Sequence, residues 1–302
     1  MNWEQTKEFL APCMPEELRA EMALLHPGEL QEIRLRCNQP CVFRTAAGVK
    51  VLRWTLVQRE LETLTEALCG HSLYARQDEV RQGYVTLKGG HRMGLCGGVR
   101  LHDGVPYALD STGSVCLRIA AEWVGAAEPL KPYLLAGGVP QSLLIIGGCG
   151  TGKTTLLRDA ARVLGSGDAM IQTAVIDERG EIAACEHGVP QLNVGATTDV
   201  LEGCPKQHAV QWLLRSMSPQ AIVTDELADA QDVSAVMDAT ACGCAVVASV
   251  HGTSLNDLAS RPVMASMMAR RAFAHYAVLS PDGCGRIAAV YDRNGSPARW
   301  PA

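Results

Sequence analysis

The residues best suited to chemistry in this sequence form a glycine-rich run that ends in a lysine and two threonines. From Gly147 to Thr154 the run follows the pattern G-x-x-x-x-G-K-[ST]. Polyphosphate oxygens need several converging backbone N–H groups, and glycine lets the backbone come close enough to supply them. The pattern therefore predicts a nucleotide phosphate loop. Its contacts are expected from Gly147, Gly148, Cys149, Gly150, Thr151, Gly152, Lys153, Thr154 and Thr155.

Three side chains of this loop have separate predicted roles. Lys153 is expected to reach the β- and γ-phosphates, and the Thr154 hydroxyl to ligate the Mg²⁺ that bridges them. Thr155 is a candidate for contact with the α-phosphate. The predicted cofactors are therefore ATP and Mg²⁺.

A phosphate loop needs a strand before it and a helix behind it, and the sequence supplies both. Leu143 to Ile146 is a short apolar run typical of a buried strand. After the loop, apolar residues recur at helical spacing until Gly165, at Leu157, Ala160, Ala161 and Leu164. The glycines are therefore predicted at a strand-to-helix turn, and a chance glycine turn is the alternative that these flanking elements argue against.

An acidic pair follows a second strand-like run. Ala221 to Thr224 is apolar or small and leads into Asp225 and Glu226, which is the Walker B pattern. Asp225 would hold Mg²⁺ through water, and Glu226 would polarise the water that attacks the γ-phosphate. Strands often end in acidic residues, so this pattern alone is weak evidence. Its position about seventy residues after the predicted phosphate loop supports the Walker B interpretation.

Two further predicted strands end in polar residues. Thr173 to Ile176 runs into an acidic cluster, from which one of Asp177, Glu178 or Glu181 would position water or metal unless the cluster is only a solvated turn. Ligands of parallel sheets bind at the carboxyl ends of the strands. This cluster therefore supplies Glu178 as a candidate catalytic residue.

The strand predicted at Ala245 to Val250 carries His251 at its tip. A polar residue there can touch the γ-phosphate and report hydrolysis to a neighbouring subunit. The alternative is a loop histidine with a structural role. His251 is therefore a second candidate catalytic residue.

The composition indicates an ordinary soluble globular protein. The chain has 302 residues, of which 47% are hydrophobic and 20% charged, and its length suggests about two domains. A net charge of −5 gives no general attraction to nucleic acid, so no nucleic-acid partner is expected. No apolar run approaches the roughly 18 residues of a membrane span. With no signal-peptide pattern at the start, we expect a cytoplasmic protein.

Cysteine usage fits a reducing compartment. The sequence has 12 cysteines, which are scattered rather than arranged as a disulfide framework. Only Cys242 and Cys244 are closely spaced, and no second pair at zinc-ligand spacing accompanies them. Free thiols are therefore favoured over a metal site.

The chain is predicted to contain two domains, a smaller α+β domain at residues 1–125 and an ATPase core at residues 126–302. The junction lies in a stretch from Glu122 to Gln141 that is rich in proline and paired glycine, with a short helix predicted at Tyr133 to Ala136. In the first domain, Gly89 and Gly90 separate two strand-like runs and predict a hairpin turn.

Two arginines of the first domain are candidates for a role near a nucleotide. Arg118 lies on a predicted strand and would act in trans, because P-loop ATPases that assemble often receive charge from outside the loop. Arg92 would face a nucleotide or a neighbouring subunit, or else be a solvated strand arginine. His91 is expected to be structural.

Strand and helix signals alternate through the second domain. This alternation predicts an α/β fold with a mostly parallel sheet covered by helices on both faces. The segments Phe273 to Leu279 and Arg286 to Tyr291, joined by a turn at Pro281 to Gly283, predict an antiparallel hairpin that closes the sheet.

These motifs together resemble the stage III sporulation protein AA ATPases of endospore-forming bacteria, which are relatives of the type II and type IV secretion ATPases. The resemblance covers nearly the whole chain. Two departures from the family pattern are Gly148 and Cys149, where prolines are expected, and Ala228, where a glycine is expected. The resemblance rests on Glu32-Ile-Arg-Leu-Arg36, the segment Gly83 to Cys96, Gly152-Lys-Thr-Thr-Leu-Leu-Arg-Asp159, Asp177-Glu-Arg-Gly-Glu181, Asp199-Val-Leu-Glu-Gly-Cys-Pro-Lys206, Arg215-Ser-Met-Ser-Pro219 and Val223-Thr-Asp-Glu226.

The resemblance implies a RecA-like P-loop ATPase core, an N-terminal domain like that of secretion ATPases, and assembly into a hexameric ring. It further implies a motor in the mother cell, held at the membrane by a protein partner. The implied partners are membrane channel proteins of the sporulation complex that links mother cell and forespore.

Two other functions stay open from the sequence. One is a P-loop ATPase that handles single-stranded nucleic acid, which the negative net charge disfavours. The other is a structural ring component that binds ATP with little turnover.

Overall fold

The structure, a computed structural model, describes residues 3–70, 76–81, 83–282 and 285–298. The chain forms two compact units, Met1–Ala121 together with Ala184–Glu186, and Glu122–Ala183 together with His187–Ala302. The predicted junction near residue 125, between an α+β domain and an ATPase core, stays a prediction. Each unit is described by itself below.

The first unit is built around an antiparallel sheet of six strands in the order β3-β2-β1-β6-β5-β4. Apolar side chains of β1 and of the helix α3, such as Ile33 and Leu61, are completely buried in one core. The elements are α1 (Trp3–Leu10), α2 (Glu16–Ala23), β1 (Leu30–Arg36), β2 (Val42–Thr45), β3 (Gly48–Val51), α3 (Gln58–Leu68), α4 (Gln77–Arg81), β4 (Tyr84–Thr86), β5 (Arg92–His102) and β6 (Val105–Arg118). The hairpin turn predicted at Gly89 and Gly90 joins β4 to β5, which pair antiparallel.

The second unit contains a sheet of seven strands and most of the helices. Its elements are α5 (Lys131–Leu134), β7 (Leu135–Ala136), β8 (Val139–Pro140), β9 (Leu143–Gly147), α6 (Lys153–Ser166), β10 (Thr173–Asp177), β11 (Thr198–Glu202), α7 (Lys206–Ser216), β12 (Ala221–Thr224), α8 (Ala230–Ala241), β13 (Ala245–His251), α9 (Leu255–Ala259), α10 (Pro262–Ala269), β14 (His275–Leu279) and β15 (Ile287–Asp292). The sheet order is β11-β10-β12-β13-β9-β14-β15.

The predicted mostly parallel sheet is confirmed. Every neighbouring pair is parallel except β14 and β15, which form the antiparallel hairpin predicted at the end of the chain. Gly283, which the sequence placed in the turn of this hairpin, lies outside the described residues. All five residues of β9 and of β10 are buried, as expected for strands covered on both faces.

Helices cover the two faces of this sheet. Side chains of α7, α8 and α10 form one core with alternate residues of the central strands, including Leu144, Ile222 and Val246. The helix α6 contacts β9, β10, β12 and β13 from outside that core and so covers the other face. The carboxylate of Asp229 caps α8 by accepting hydrogen bonds from the backbone N–H groups of its first turn.

The prediction of a short helix at Tyr133 to Ala136 was wrong by two residues, because the helix begins and ends two residues earlier. The helix α5 covers Lys131–Leu134, and Leu135 and Ala136 pair instead with Pro140 and Val139 in a small hairpin. Gly137 and Gly138 have φ angles of +59° and +82°, which a two-residue hairpin turn requires. The turn at this glycine pair therefore places Leu135 and Ala136 in a strand rather than in the helix.

Candidate nucleotide-binding site

The strand order brings the phosphate loop and the acidic pair to the same edge of the sheet. Strands β12, β13 and β9 are adjacent and parallel, and Ala248 of β13 pairs with Thr224 on one side and Leu144 on the other. The phosphate loop follows β9, and Asp225 and Glu226 follow β12. Two strand spacings, about 10 Å, therefore separate the strand ends from which these segments start.

The backbone of the phosphate loop favours glycine, as Gly152 and Gly147 show. Gly152 has φ +92°, in the left-handed region, immediately before α6 begins. A Cβ on Gly147 would lie 2.5 Å from the Thr151 Oγ1, so a side chain there would displace the loop. The Thr151 hydroxyl in turn donates to the Gly148 carbonyl oxygen at 2.9 Å. These contacts hold the loop in a tight turn whose end is the N-terminus of a helix, where anions bind.

The ammonium of Lys153 lies over this loop. Its Nζ donates to the carbonyl oxygens of Gly147 at 3.0 Å and of Gly148 at 2.7 Å. Thr154 and Thr155 follow it in the first turn of α6. The lysine, both threonines and the loop glycines are therefore brought together as the sequence predicted.

A buried lysine joins two of the predicted acidic residues. Lys206, the first residue of α7, donates to Glu178 Oε2 at 2.8 Å and lies 3.5 Å from Asp225 Oδ1. Its side chain is only 7% exposed, and a lysine is rarely buried without partners. Lys206 thus connects the carboxyl end of β10 to that of β12.

Burial and nearby charges shift the pKa values of Asp225 and Lys206. Burial raises the pKa of Asp225 above its usual value, although the charge of Lys206 opposes this shift. Burial by itself would lower the pKa of Lys206, but the hydrogen bond to Glu178 and the charge of Asp225 leave that pKa raised. Lys206 therefore stays charged and balances two carboxylates.

Asp225 has the features of a residue that binds a metal or a water. Its Oδ1 is buried, and Lys206 Nζ at 3.5 Å is too distant for a well-formed hydrogen bond. Within the described residues this oxygen has no hydrogen-bonded donor. A buried carboxylate oxygen with spare acceptor capacity, together with the threonine hydroxyls of the loop, fits the oxygen ligands that Mg²⁺ prefers.

Glu226 faces a different partner. Its Oε2 accepts a hydrogen bond from Arg179 Nη1 at 2.9 Å; the Arg179 side chain is largely exposed and that of Glu226 is partly exposed. Its backbone N–H donates to the Ser249 hydroxyl of β13 at 3.1 Å, which fixes the start of the segment. The carboxylate therefore stands at the open edge of the sheet, where water can reach it.

The structure distinguishes among the three acids that follow β10. Asp177 is completely buried, and its carboxylate accepts hydrogen bonds from the backbone N–H groups of Glu181, Ile182 and Ala183.

The other two acids have different surroundings. Glu178 is paired with Lys206, which also lies close to Asp225, whereas Glu181 has an exposed side chain. Asp177 therefore shapes the loop, and Glu178 is the acid of this cluster that adjoins the Walker B residues.

Replacing Asp177 by alanine should lower the free energy of unfolding by about 3 kcal/mol, because two buried backbone donors and one part-buried donor would lose a charged acceptor. The Asp199→Ala variant is the control, since Asp199 is exposed on β11 and should change stability by less than about 0.5 kcal/mol. Urea denaturation measures both values. Equal stability of the two variants would contradict the structural role of Asp177.

His251 ends β13, between the phosphate loop and the acidic pair. Its backbone pairs with Gly147, and its carbonyl oxygen accepts a hydrogen bond from Arg261 Nη1 at 2.7 Å. The side chain is exposed at the same edge of the sheet as Glu226. This position suits a contact with the end of a bound triphosphate.

The three basic residues singled out in the first domain lie in the first unit. Arg118 is the last residue of β6. Its side chain is 67% exposed, and its Nε lies 3.7 Å from Glu32 Oε1. The guanidinium of Arg92 lies 3.9 Å from the centroid of the Tyr84 ring, which is a cation–π distance.

His91 is buried, and burial lowers the pKa of its imidazole to about 4. Its Nδ1 accepts a hydrogen bond from the Ala120 N–H. His91 is thus a neutral structural histidine.

Sequence reasoning missed two residues of this site. Lys206 and Arg179 were seen only as members of longer motifs, although each pairs with a predicted catalytic acid. The one signal that could have found Lys206 is a lysine at the first position of a helix, where a positive charge is unfavourable unless an acid is near.

Comparisons with known proteins agree with this architecture. A family model described as "Sporulation stage III, protein AA" matches residues 3–298. The chain belongs to this family. The stage III sporulation protein AA of Bacillus subtilis (strain 168) is 36% identical over 294 residues, which are 95% of this chain and 95% of that protein.

Two solved structures identify the fold of this family member. The ATPase DotB of Legionella pneumophila is similar with a TM-score of 0.56 and 15% identity, covering 87% of this chain and 77% of that one. The pilus retraction motor PilT with bound ADP gives a TM-score of 0.56 and 16% identity, covering 82% of this chain and 74% of that one. The protein therefore shares the α/β fold of these two ATPase and motor structures. Among the described residues, no helix is long and apolar enough to cross a membrane.

Proposed function

We propose that this protein is a Mg²⁺-dependent ATP hydrolase. The observation that carries the proposal is the position of β13 between β9 and β12, because it puts the phosphate loop beside the acidic pair. A triphosphate bound to the loop amides would then point its terminal phosphate toward Asp225 and Glu226. Membership in a sporulation family and the fold of secretion ATPases support the same function.

The residues of this site would act by positioning and by charge. The backbone N–H groups from Gly150 to Thr154 bind and orient the phosphates, and Lys153 balances the charge of the β- and γ-phosphates. Mg²⁺, held by Thr154 and through water by Asp225, would supply further charge neutralisation at these phosphates. Glu226 orients the attacking water and takes up its proton.

Three further residues have supporting roles in this proposal. Glu178 would hold Asp225 in place through Lys206, to which both acids are close. His251 would contact the terminal phosphate from the end of β13. Arg118 would serve the site of a neighbouring subunit, if the protein forms a ring.

We extend the proposal to a hexameric ring that drives a membrane channel of the sporulation complex. The family match supports the sporulation role, and PilT, which shares the fold, is described as a motor. In this proposal the ring lies in the cytoplasm of the mother cell and reaches the membrane through channel proteins.

Molecular mass in solution, measured with and without ATP, tests binding and assembly together. We expect the Glu226→Gln variant with ATP and Mg²⁺ to shift to a ring-sized species and to keep it, whereas the wild type should lose it as phosphate is released. A phosphate-release assay on the same samples measures turnover. If ATP neither binds nor is hydrolysed in the presence of Mg²⁺, the proposal is wrong, and binding without turnover would instead support a structural ring component.

A further inference from the structure

A short segment of the second unit is held in place from both sides. The carboxylate of Asp159, on α6, accepts the backbone N–H of Gly125 at 3.1 Å and of Ala127 at 2.7 Å. On the other side, the Glu122 carboxylate accepts the backbone N–H of Asn193 at 2.5 Å. Asp159 itself is buried and is also bonded by Arg162. The segment of residues 122–127 is therefore bonded to α6 through Gly125 and Ala127, and to Asn193 through the Glu122 side chain.

This fixed segment carries an exposed tryptophan. The side chain of Trp123 is 66% exposed and that of Val124 is 64% exposed, although most other large apolar side chains of this unit are buried. An aromatic ring on a fixed backbone loses little conformational entropy when a flat ligand stacks on it. Stacking on aromatic side chains is how proteins commonly bind nucleobases.

The position of Trp123 relative to α6 indicates which ligand it suits. Trp123 lines a shallow depression together with Thr155, Arg158 and Asn193. Thr155 is two residues beyond Lys153 and is the residue assigned to the α-phosphate, and Arg158 lies about 4.5 Å further along the helix axis. The nucleoside joined to that phosphate would lie over the depression.

Two charged side chains beside the depression, Arg158 and Asp159, already have hydrogen-bond partners. The guanidinium of Arg158 donates to the carbonyl oxygens of Ile182 at 2.5 Å and of Glu181 at 2.7 Å. The Asp159 carboxylate is occupied by backbone N–H groups. The largest exposed apolar group that lines the depression is the side chain of Trp123.

We propose that Trp123 is the stacking platform for the base of the bound nucleoside triphosphate. This inference rests on the proposed function, because it needs the phosphates to lie in the loop before α6. All bases have a π-face, so stacking alone does not distinguish one purine from another. Loss of the ring should therefore weaken the binding of ATP and of GTP to the same extent.

Calorimetry with three ligands tests the proposal. The ligands are a non-hydrolysable ATP analogue, its GTP counterpart and inorganic tripolyphosphate, each with Mg²⁺, and the proteins are the wild type, Trp123→Ala and Trp123→Phe. We expect Trp123→Ala to bind both nucleotides about 5- to 150-fold more weakly, which is the loss found on removing an aromatic stacking partner. Tripolyphosphate affinity should not change, and Trp123→Phe should restore most of the nucleotide affinity.

The control is Trp212→Ala, which removes a tryptophan that is 62% exposed on α7. It should bind all three ligands as the wild type does. Unchanged nucleotide affinity in Trp123→Ala would overturn the proposal, and so would an equal loss for tripolyphosphate, which would indicate a distorted loop. A changed molecular mass with unchanged affinity would assign Trp123 to a subunit interface instead. Failure of the wild type to bind any of the three ligands would overturn the proposed function itself.

Discussion

Replacing Glu226 by glutamine should leave ATP and Mg²⁺ bound and slow hydrolysis by about 10²- to 10⁴-fold, the usual contribution of a catalytic base. Glutamine keeps the shape of glutamate but has no basic oxygen to take the proton of the attacking water. Binding should persist because the proposed phosphate contacts lie in the loop after β9, whereas Glu226 follows β12. Single-turnover hydrolysis and equilibrium binding, measured on one preparation, check both expectations.

The surroundings of Glu226 make this substitution informative. Its ion pair with Arg179 is exposed, with side chains 40% and 61% accessible, so the pair should contribute less than about 1 kcal/mol to folding. The matched control is Glu66→Gln, the same chemical change on an exposed residue of α3. That control should hydrolyse ATP at the wild-type rate. Equal rates for Glu226→Gln and the wild type would remove the base assignment.

Replacing Lys153 by alanine should weaken both binding and hydrolysis. Its ammonium lies over the loop, and charge-assisted hydrogen bonds of the kind it would give phosphate oxygens contribute about 1.5–3 kcal/mol. ATP affinity should therefore fall about 10- to 150-fold, and hydrolysis should fall about 10²- to 10³-fold further, because the charge that develops in the transition state loses a donor.

Nucleotide titration and phosphate release at saturating ATP separate these two effects for Lys153→Ala. Lys131→Ala is the control, since Lys131 is exposed on α5 in the same unit and should behave as the wild type. Both variants should melt at similar temperatures, because Lys153 is only partly buried and its two bonds to the loop carbonyls are replaceable by water. Wild-type affinity in Lys153→Ala would place the phosphates elsewhere.

The phosphate loop and the acidic pair were predictable because their signals are local. The apolar run before Gly147 is typical of a buried strand. Apolar residues spaced three and four apart after Gly152 indicate a helix with one buried face. The same applies to the acids after β12. These features depend on residues that are neighbours in the chain, so composition and spacing suffice to find them.

Lys206 shows what could not be predicted. Its two partners, Glu178 and Asp225, lie 28 positions before it and 19 positions after it, and only folding places all three within a few ångströms. The choice among the acids after β10 has the same origin. Asp177 and Glu178 are equivalent in a sequence pattern, but one turns inward to backbone N–H groups and the other meets a lysine.

The sequence by itself determined the family and the alternation of strands and helices, and it predicted the phosphate loop and the acidic pair. The tertiary structure alone decided that β13 lies between β9 and β12, that Lys206 joins two acids, and that Trp123 is exposed on a fixed segment beside α6. The physical reason is that spacing along a chain fixes which residues share a face of one element. The order of strands in a sheet, by contrast, is set by the packing of elements that are far apart in sequence.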